Sequence, residues 1–536
     1  MSITKFTYRE TGHFSKLIND YLEANAKLSG LYKYPLQMDA FQEIIEERRK
    51  HQPDRPLLVK LLKEQYGALA NAPIVQENIQ ALSDENTFCV TTAHQPLLFG
   101  GPLYFIFKIV SAIKLTTQLT KAFPKYKFVP VFWLGGEDHD FAEMNHAKVF
   151  GENIVWDTDF KGGSVGRMGT DSISPAIEQL NRLLGDSDYA KELIGIFTKS
   201  YSNAAYPEWN FNQGTRYWLH ALFGNEGLVV IDADNAELKA GLVELMKRDL
   251  FQRDHAELLK PVLGFLEDHY KIQARPRRIN LFYLRENVRE RIEYDEQKAV
   301  YNVLNTKLSF TKAQLEAELT MHPERFSPNV ILRPMYQEKI LPNLAFIGGG
   351  GELAYWLELK ALFEANHITY PMLVLRDSFA IATSRTIKKW NALHTDWNSI
   401  FEDKDRLIRK FLEHDFAEDL QLKMEKDDLA ILYKRIEESA GSVDSTLKNT
   451  VRSEAHRSLK SLQKLEDKML KAAKRKREIE VQRLTDVKSA LFPGNMLQER
   501  HDNFSMYYAL FGKFFIQMLL DAADPLESKF KLMTED

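Results

Sequence analysis

The arrangement of apolar and polar positions changes along the chain. Before Pro371, short apolar runs rich in β-branched and aromatic residues alternate with amphipathic stretches, which is typical of an α/β fold. The predicted strands are Phe88–Thr92, Phe128–Leu134, Gly227–Asp232 and Met372–Leu375. The first is followed by a turn with glycine and proline and then by Leu103–Leu119, which has apolar residues at helical spacing. This order of strand, turn and helix predicts a doubly wound parallel sheet.

The stretch between Pro371 and Pro493 contains no proline and a single glycine, Gly441, so we expect it to be helical. Its apolar residues follow one another in steps of three and four between charged residues, which predicts a coiled coil. They are Leu429, Leu432, Ile436, Val443, Leu447, Val451, Ala455, Leu459, Leu462, Leu465 and Met469.

A helical hairpin is predicted to turn at Ala440–Ser442. Glycine can end a helix in the left-handed conformation, and the hydroxyl of Ser442 can cap the next helix. As one helix, the returning arm Val443–Leu491 would be about 73 Å long. An arm of that length needs a partner, so we expect a homodimer formed through the coiled coil.

The last part of the chain is too apolar for a solvated tail, because Phe504, Tyr507, Tyr508, Phe511 and Phe514 follow Pro493 closely. We therefore predict an α/β core with helical insertions at residues 1–378, a helical coiled-coil domain at 379–492, and a C-terminal segment, 493–536, that packs back on the core.

Composition restricts the class of protein. Among 536 residues, 71 Lys and Arg oppose 75 Asp and Glu, and the net charge of −4 provides no general field for a polyanion, so we expect no nucleic-acid partner. The N-terminus lacks the apolar run of a signal peptide and no run of 18 apolar residues occurs in the sequence, so we expect neither a signal peptide nor a membrane partner. The single cysteine, Cys89, cannot form an internal disulfide, which fits a cytoplasmic protein. Because Cys89 falls in a predicted buried strand, we expect it to be inert.

The first candidate site follows the first predicted strand. Its residues are Thr91, Thr92, His94, Gln95, Gly101 and Tyr104. They lie where a strand ends and a helix begins, and the N–H groups and dipole of a helix start favour an anion. A phosphate or carboxylate could bind there. The alternative is an ordinary turn with a capping threonine, because two glycines without the lysine of a phosphate-binding loop are a weak signal.

The second candidate site follows the strand that ends at Leu134. Its residues are Glu137, Asp138, His139, Asp140 and Asn145. Acids and a histidine at the end of a buried strand are costly to place together unless ligands, protons or a metal compensate their charge. His139 could act as a general base, and Asp138 and Asp140 could hold Mg²⁺ or a substrate ammonium. The alternative is an acidic helix start stabilised by the helix dipole.

The third candidate site combines two segments. Its residues are Asn329, Arg333, Gly349, Glu352, Tyr355 and Trp356. Four glycines before a helix allow close approach of the backbone to a ligand, and arginine can bind a carboxylate through two hydrogen bonds. The alternatives are a loose glycine loop and a surface ion pair. We expect the loops around His94 and His139 to converge on one cleft for small polar ligands.

The motifs together resemble the bacillithiol biosynthesis cysteine-adding enzyme family. The matching segments are VTTAHQPLLFGGPLYFIFKIVSAIKL (90–115), VPVFWLGGEDHDFAEMNH (129–146), SPNVILRP (327–334), IGGGGELAYW (347–356) and LFPGNMLQER (491–500). The resemblance implies a Rossmann-like core with helical insertions, a coiled-coil dimerisation domain, and a ligase that joins L-cysteine to the amine of glucosaminyl malate. On this basis we assign catalysis to His94, Asp138, His139 and Asp140, and substrate or nucleotide binding to the other candidates, with no metal ligand.

Joining a carboxylate to an amine in water requires activation of the carboxylate. ATP with Mg²⁺ is our hypothesis for the activating cofactor, because a Rossmann-like sheet suits a nucleotide. Two other functions stay open. One is a metal-assisted hydrolase of thiol-sugar conjugates, which would use the acids around His139. The other is a non-catalytic dimeric scaffold that recruits partners through its coiled coil.

Overall fold

The computed structural model describes residues 2–67, 69, 72–202, 208–416 and 420–535, with only the backbone at Asp415. They fall into two units. The larger unit consists of Ile3–Ala380 together with Leu497–Lys531, and the smaller unit is built on Ile381–Met496.

The strands of the described chain form four sheets. They are β1 (Ser2–Thr7), β2 (Thr87–His94), β3 (Lys127–Leu134), β4 (His146–Val149), β5 (Glu152–Val155), β6 (Val229–Asp232), β7 (Leu281–Arg285), β8 (Val288–Asp295), β9 (Val300–Val303), β10 (Ser309–Phe310), β11 (Phe326–Pro328), β12 (Asn343–Gly348), β13 (Met372–Leu375), β14 (Ser378–Ala382) and β15 (Lys529–Thr534). The sheet orders are β13-β12-β2-β3-β6, β10-β9-β8-β7-β11, β1-β15-β14 and β4-β5.

The α-helices of the larger unit are α1 (Tyr8–Thr11), α2 (Lys16–Leu22), α3 (Phe41–Lys50), α4 (Arg55–Tyr66), α5 (Pro73–Ala81), α6 (Tyr104–Ala122), α7 (Phe141–Met144), α8 (Ser174–Leu184), α9 (Asp188–Tyr201), α10 (Phe211–Phe223), α11 (Ala236–Ala240), α12 (Val243–Lys247), α13 (His255–His269), α14 (Lys312–Met321), α15 (Arg333–Ile340), α16 (Gly350–Glu358), α17 (Lys360–Ala365), α23 (Ser505–Phe511) and α24 (Phe514–Ala522). Those of the smaller unit are α18 (Ser384–Asn391), α19 (Lys404–Phe416), α20 (Lys423–Val443), α21 (Leu447–Lys476) and α22 (Glu478–Leu491).

The central sheet is parallel throughout and confirms the predicted doubly wound architecture. β2, the first of its strands in the sequence, lies in the middle. The next two, β3 and β6, extend the sheet on one side, and β12 and β13 extend it on the other. The direction of winding therefore reverses between β2 and β12, and ligands of such sheets bind beyond the carboxyl ends of the strands at this reversal.

Continuous apolar runs explain the central strands. β2 and β3 are almost fully buried along their length, as expected for parallel strands covered on both faces. The crossover helix α6 packs on both strands and is itself buried over most of its surface. Pro130 is tolerated within β3 because pairing of β3 with β6 begins only at Val131.

The antiparallel sheet β10-β9-β8-β7-β11 was not predicted. Its longest strand, β8, reads VRERIEYD and has no apolar run, since only Ile292 of that strand is fully buried. This sheet matters for the site because Arg289 on β8 and the segment after β11 reach the cleft described below.

The smaller unit contains the predicted coiled-coil hairpin. Helices α20 and α21 run antiparallel, with Tyr433 hydrogen-bonded to Ser458 at 2.7 Å and Arg452 paired with Glu437 at 2.8 Å. The predicted turn at Ala440–Ser442 is wrong, because α20 continues to Val443 and the chain turns at residues 444–446.

Two contacts explain why the chain turns after Val443 and not at Gly441. The Asp444 carboxylate accepts hydrogen bonds from the amide and the hydroxyl of Thr446, each at 2.8 Å, and so forms the turn itself. Gly441 is helical, and a Cβ there would lie 2.2 Å from a side-chain carbon of Lys448. The glycine therefore makes room for the returning helix. The returning arm is also not one helix, because it is interrupted at Arg477 between α21 and α22.

None of the helices within the described ranges combines the length and the apolar character needed to cross a lipid bilayer.

Candidate active site

A cleft of about 620 Å³ lies in the larger unit at the carboxyl edge of the central sheet. Its walls come from the segments after β2, β3 and β12, from the start of α6, and from Arg289 and the SPNVILRP segment. It is the place where the winding of the sheet reverses. The lining residues are Ala93, His94, Gln95, Tyr104, Lys108, Trp133, Gly135, Glu137, Asp138, Glu143, Gln273, Ala274, Arg289, Pro328, Asn329, Val330, Arg333, Gly349, Gly350, Gly351, Glu352, Tyr355, Arg376 and Arg500.

A buried ion pair lies at the base of the cleft. The ammonium of Lys108 on α6 contacts the Glu352 carboxylate and donates to the carbonyl of Ala93 at 3.0 Å, where β2 ends. The same oxygen of Glu352 accepts the amide of Gly349 at 2.8 Å, as a cap of α16. Burial alone would raise the pKa of Glu352, but Lys108 and this amide hold it below its usual value. The second carboxylate oxygen has no hydrogen-bond partner among the described residues and is available to a ligand.

His94 lies beside this pair and is neutral near pH 7. Burial and the Lys108 ammonium lower its pKa from the usual 6.5 to about 3. Its Nδ1 is 3.0 Å from the carbonyl of Gln95, so Nδ1 carries the proton and Nε2 has the lone pair. With so low a pKa, His94 is suited to accept a hydrogen bond and is a weak general base.

Two arginines of the cleft have no carboxylate partner among the described residues. Arg333, the first residue of α15, donates to Gln337 at 3.1 Å and to the hydroxyl of Tyr355 at 3.3 Å. Arg500 is exposed and also lines the cleft. Unpaired guanidinium groups in a concave site favour ligands with carboxylate or phosphate groups.

Arg376 is held differently. It follows β13, is almost fully buried and forms two hydrogen bonds with the carboxylate of Glu499, at 2.9 and 2.7 Å. Its guanidinium also lies 5.6 Å from the ring centre of Tyr104. Burial lowers its pKa, but the Glu499 charge dominates and raises the pKa above its usual value. Arg376 therefore joins the segment after residue 497 to the cleft wall.

The segment after β3 supplies a buried charge cluster. The Lys239 ammonium contacts Glu137 and Asp234, the latter at 3.0 Å, and Arg167 binds the other side of Asp234 through two bonds of 2.6 and 2.7 Å. Burial raises the pKa of Glu137 in spite of Lys239. Glu137 thus lines the cleft with its charge already compensated.

Glu143 is the other notable acid of the cleft. It lines the cleft but is exposed to solvent, in the first turn of the short helix α7, whose start is capped by Asp140. Burial, and then the charges of Asp140 and Asp138, raise its pKa above the usual value. A carboxyl group with a raised pKa is a better proton acceptor near neutral pH than an ordinary glutamate.

The structure brings ten predicted site residues into this cleft. They are His94, Gln95, Tyr104, Glu137, Asp138, Asn329, Arg333, Gly349, Glu352 and Tyr355. Among them, Asn329 already uses its side chain within the protein. Its amide donates to Asn280 at 3.1 Å, and its oxygen accepts the amides of Ile331 and Leu332. It therefore shapes the segment that carries Arg333.

The structure places two predicted catalytic residues outside the lining. His139 is half-exposed and accepts a hydrogen bond from Arg289 at its Nδ1, at 2.7 Å. Asp140 is exposed and acts as the cap of α7, which is the alternative considered for this acidic segment. The loops around His94 and His139 do meet at one cleft. The second loop contributes Glu137 and Asp138 to the lining, and the His139 ring is not part of it.

Five predicted binding residues have structural contacts instead. Thr91 and Thr92 are buried in β2, where they bond to Asn343 and to the Ile347 carbonyl. The backbone of Asn145 pairs with that of Trp156 beside β5. Trp356 is buried and stacks on Phe346 at 4.3 Å. The fifth, Gly101, belongs to the turn before α6.

At the predicted anion site, the turn before α6 is held by contacts within the protein. The amide of Asn503 donates to the carbonyls of Phe99 and Gly101, at 2.9 and 2.6 Å, and fills the turn. The Leu103 amide, next to the start of α6, is bound by the carbonyl of Asp502. Gly101 has φ +56°, and a Cβ there would collide with Leu97, so this glycine is needed for the turn alone.

Sequence reasoning missed Lys108, Glu143, Arg289 and Arg500. Lys108 is signalled by a single charge within the apolar run LYFIFKIVSAI, which suggests a buried lysine with a partner. Arg289 has no such signal, because it lies in a strand with many charges. Cys89 is buried as expected, and burial raises its pKa to about 12. Among the described residues, no group of three or more His, Cys, Asp or Glu has the geometry to hold a metal ion.

Comparison with known proteins decides the family. Residues 1–377 match the family model described as bacillithiol biosynthesis BshC, N-terminal Rossmann-like domain, and residues 379–535 match its C-terminal coiled-coil domain. The chain belongs to the bacillithiol biosynthesis BshC family. The resemblance noted in the motifs, the Rossmann-like core and the C-terminal coiled coil are thereby confirmed.

The similarity to individual BshC proteins extends over the whole chain. A protein of Flavobacterium johnsoniae named putative cysteine ligase BshC is 40% identical over 530 residues, which cover 98% of this chain and 99% of that relative. A protein of Flavobacterium psychrophilum with the same name is 37% identical over 530 residues, covering 98% of both chains. One of Bacillus cereus, again so named, is 26% identical over 526 residues, covering 94% of this chain and 95% of the relative.

Proposed function

We propose that this protein is a ligase of bacillithiol biosynthesis that joins the carboxyl group of L-cysteine to the amine of glucosaminyl malate. The names of its relatives support a cysteine ligase. The observation that carries the choice of acceptor is the cleft itself, in which two arginines without carboxylate partners accompany a carboxylate with one free oxygen. Glucosaminyl malate has two carboxylates and one amine, and so matches that arrangement of charges.

The arginines give the acceptor its position. Arg333 and Arg500 bind the two malate carboxylates, and the hydroxyl of Tyr355 orients Arg333. Binding of a carboxylate by arginine fixes both distance and direction, since the planar group donates two parallel hydrogen bonds. The sugar amine then lies toward the base of the cleft.

At the base, Glu352 binds the amine as an ammonium and Glu143 takes the proton that must leave before the nitrogen can attack. Lys108 keeps Glu352 ionised, whereas the raised pKa of Glu143 makes it the stronger base. The nitrogen then forms a bond to the activated carboxyl carbon of cysteine, the activating group departs with its electron pair, and the nitrogen loses its second proton to solvent to give the neutral amide. His94 accepts a hydrogen bond through Nε2 during this step.

ATP with Mg²⁺ is the proposed source of activation. The turn before α6 is filled by Asn503, so the phosphates do not fit there. The first-turn amides of Gly350 and Gly351 at the start of α16 face the cleft and fit an anion better. ATP would make the cysteine carboxyl a good acyl donor.

The test uses the purified full-length protein with L-cysteine and glucosaminyl malate, with and without ATP and Mg²⁺. Mass spectrometry should show a product with the mass of the amide only when ATP is present, together with release of AMP or ADP. Amide formation without nucleotide would refute ATP activation, and absence of the amide under both conditions would refute the ligase.

A matched pair of variants tests the role of the arginine. We expect Arg333→Met to raise KM for glucosaminyl malate about tenfold or more, with a smaller effect on KM for cysteine. The control is Arg278→Met, which removes an exposed arginine paired with Glu296 and should change neither constant. An unchanged KM in the Arg333 variant would contradict the proposed acceptor site.

We also propose that the protein is a homodimer held by the coiled coil. Large apolar side chains remain exposed on these helices, among them Met424, Ile431, Leu432, Val443 and Leu465. A second copy would cover them. Light scattering of the full-length protein should give twice the mass of one chain, and Ile431→Glu should lower it; a monomeric wild-type protein would refute the dimer.

A further inference from the structure

A second depression lies at the carboxyl end of β6, the edge strand of the central sheet. It consists of two adjoining cavities of about 380 and 540 Å³, which share Asn210, Asp232, Asp234 and Asn235. We call it the edge cleft. It shares no lining residue with the candidate active site, although Lys239 contacts both Asp234 here and Glu137 there. Nothing in the proposed ligase reaction uses it.

The edge cleft contains a partly buried carboxylate, Asp232, that forms no ion pair with a described residue, although the charge of Arg216 acts on it. Asp232 accepts hydrogen bonds from the side chain of Asn212 at 3.0 Å and from the amide of Asp234 at 3.1 Å. Among the described residues, no lysine, arginine or histidine forms an ion pair with it. Burial, and then the Asp234 charge, raise the pKa of Asp232 above its usual value. A further donor would therefore stabilise this carboxylate.

Two further polar atoms, fully buried behind the wall, have no hydrogen-bond partner among the described residues. They are Oδ1 of Asn212 and Nε of Arg216. The Asn212 carboxamide is fixed between two glycines, since a Cβ would lie 2.1 Å from it at Gly136 and 2.3 Å from it at Gly166. A buried polar atom without a hydrogen bond costs about 1–3 kcal/mol, so such atoms require an explanation.

Three amide side chains add donors. The oxygens of Asn210, Gln213 and Asn235 are all occupied, because each caps a helix start or closes a capping box. Their NH₂ groups have no hydrogen-bond partner among the described residues. The edge cleft therefore presents both kinds of group: acceptors at the Asp232 carboxylate and donors at the three amides.

We propose that the edge cleft is a binding site for a sugar. A hydroxyl group both donates and accepts, so a ring with several hydroxyls can satisfy this mixed set. An anion would face the Asp232 carboxylate, and a simple cation would leave the amide donors unused. Trp209 also lines the cleft, and the apolar side of a sugar ring packs on aromatic side chains.

The test is saturation-transfer NMR on the full-length protein with D-glucose as the probe and L-malate as the anionic comparison. We expect transfer to glucose at millimolar concentration, without displacement by malate. Asp232→Asn keeps the shape of the side chain and removes its charge, and should weaken glucose binding about tenfold. The matched control is Glu352→Gln, which makes the same change in the candidate active site and should leave glucose binding unchanged.

Several results would overturn the proposal. One is the absence of saturation transfer to glucose up to tens of millimolar, which is expected if water alone fills the cleft. Another is a loss of glucose binding in the Glu352 variant but not in the Asp232 variant. Displacement by malate would also overturn it. If Asp232→Asn does not fold, as judged by its thermal melting, Trp209→Ala provides the same comparison and should also weaken glucose binding.

Discussion

Removing the ion pair between Lys108 and Glu352 should change both the stability of the protein and the pH dependence of its activity. Lys108→Met keeps the length and apolar stem of the side chain and removes the ammonium. Glu352 then loses its countercharge, while the amide of Gly349 remains as its partner. The Lys108 side chain is 3% exposed and the Glu352 side chain 24% exposed.

These exposures set the magnitude. Breaking a fully buried ion pair costs about 3–5 kcal/mol, because the remaining charge stays in a medium of low dielectric constant. A quarter of the Glu352 side chain reaches solvent through the cleft, which screens the charge and reduces the expected loss to about 2–3 kcal/mol. Without the ammonium, the Gly349 amide offsets less of the effect of burial, and the pKa of Glu352 rises. The acidic limb of the activity profile should therefore move to higher pH.

The assay is urea unfolding of Lys108→Met, Glu352→Gln and the double variant, combined with pH profiles of kcat/KM. The double variant should be more stable than the sum of the two single losses predicts, by about 1–2 kcal/mol. Lys114→Met is the control on the same helix, since among the described residues Lys114 donates to the carbonyl of Leu520 and forms no ion pair. This variant should lower the free energy of unfolding by about 1 kcal/mol and leave the pH profile of kcat/KM unchanged. Additive single effects within about 0.5 kcal/mol, or an unmoved acidic limb, would refute the reasoning.

Two further predictions concern stability. The pKa of His94 is about 3 when folded and 6.5 when unfolded, so the unfolded state binds the extra proton as pH falls below 6.5 and the folded state loses stability. Between pH 7 and 4.5 the wild type should lose about 2.5 kcal/mol more than His94→Gln in urea unfolding, and parallel losses would contradict the buried neutral ring. Gly136→Ala should lower the free energy of unfolding by about 3 kcal/mol, because the new Cβ would collide with the fixed carboxamide of Asn212. Gly351→Ala, where the nearest atom lies at 3.9 Å, should leave stability unchanged. Equal melting temperatures for the two variants would contradict the collision at Gly136.

The central strands could be predicted because their burial on both faces leaves a direct mark on the sequence. The runs at Phe88–Thr92 and Phe128–Leu134 lie within β2 and β3, and Met372–Leu375 coincides with β13. β8 left no such mark, since one of its faces carries charged residues and only Ile292 points fully inward. The turn of the hairpin was misplaced because glycine was taken as a helix end, whereas Gly441 serves the packing of Lys448.

The candidate site was predictable where a motif follows a strand, and less so where a contact joins distant segments. Glu352 and Arg333 were recognised from glycine-rich and proline-flanked segments. The partner of Glu352, Lys108, lies on a helix more than two hundred residues earlier, and local spacing contains no information about that pairing. Thr91 shows the opposite error: it lies next to a motif but points into the sheet, toward Asn343.

The reversal of strand order between β2 and β12 has a consequence for synthesis of the chain. These neighbours are separated by more than two hundred residues of sequence, and Arg500 comes later still. On the ribosome, β2, α6 and β3 can associate early, but the wall carrying Glu352 and the Arg376–Glu499 bond must wait for their segments to emerge. In the nascent chain, the edge of β2 that later pairs with β12 therefore stays unpaired through much of translation. A chaperone that binds unfolded chains would be most needed at this edge.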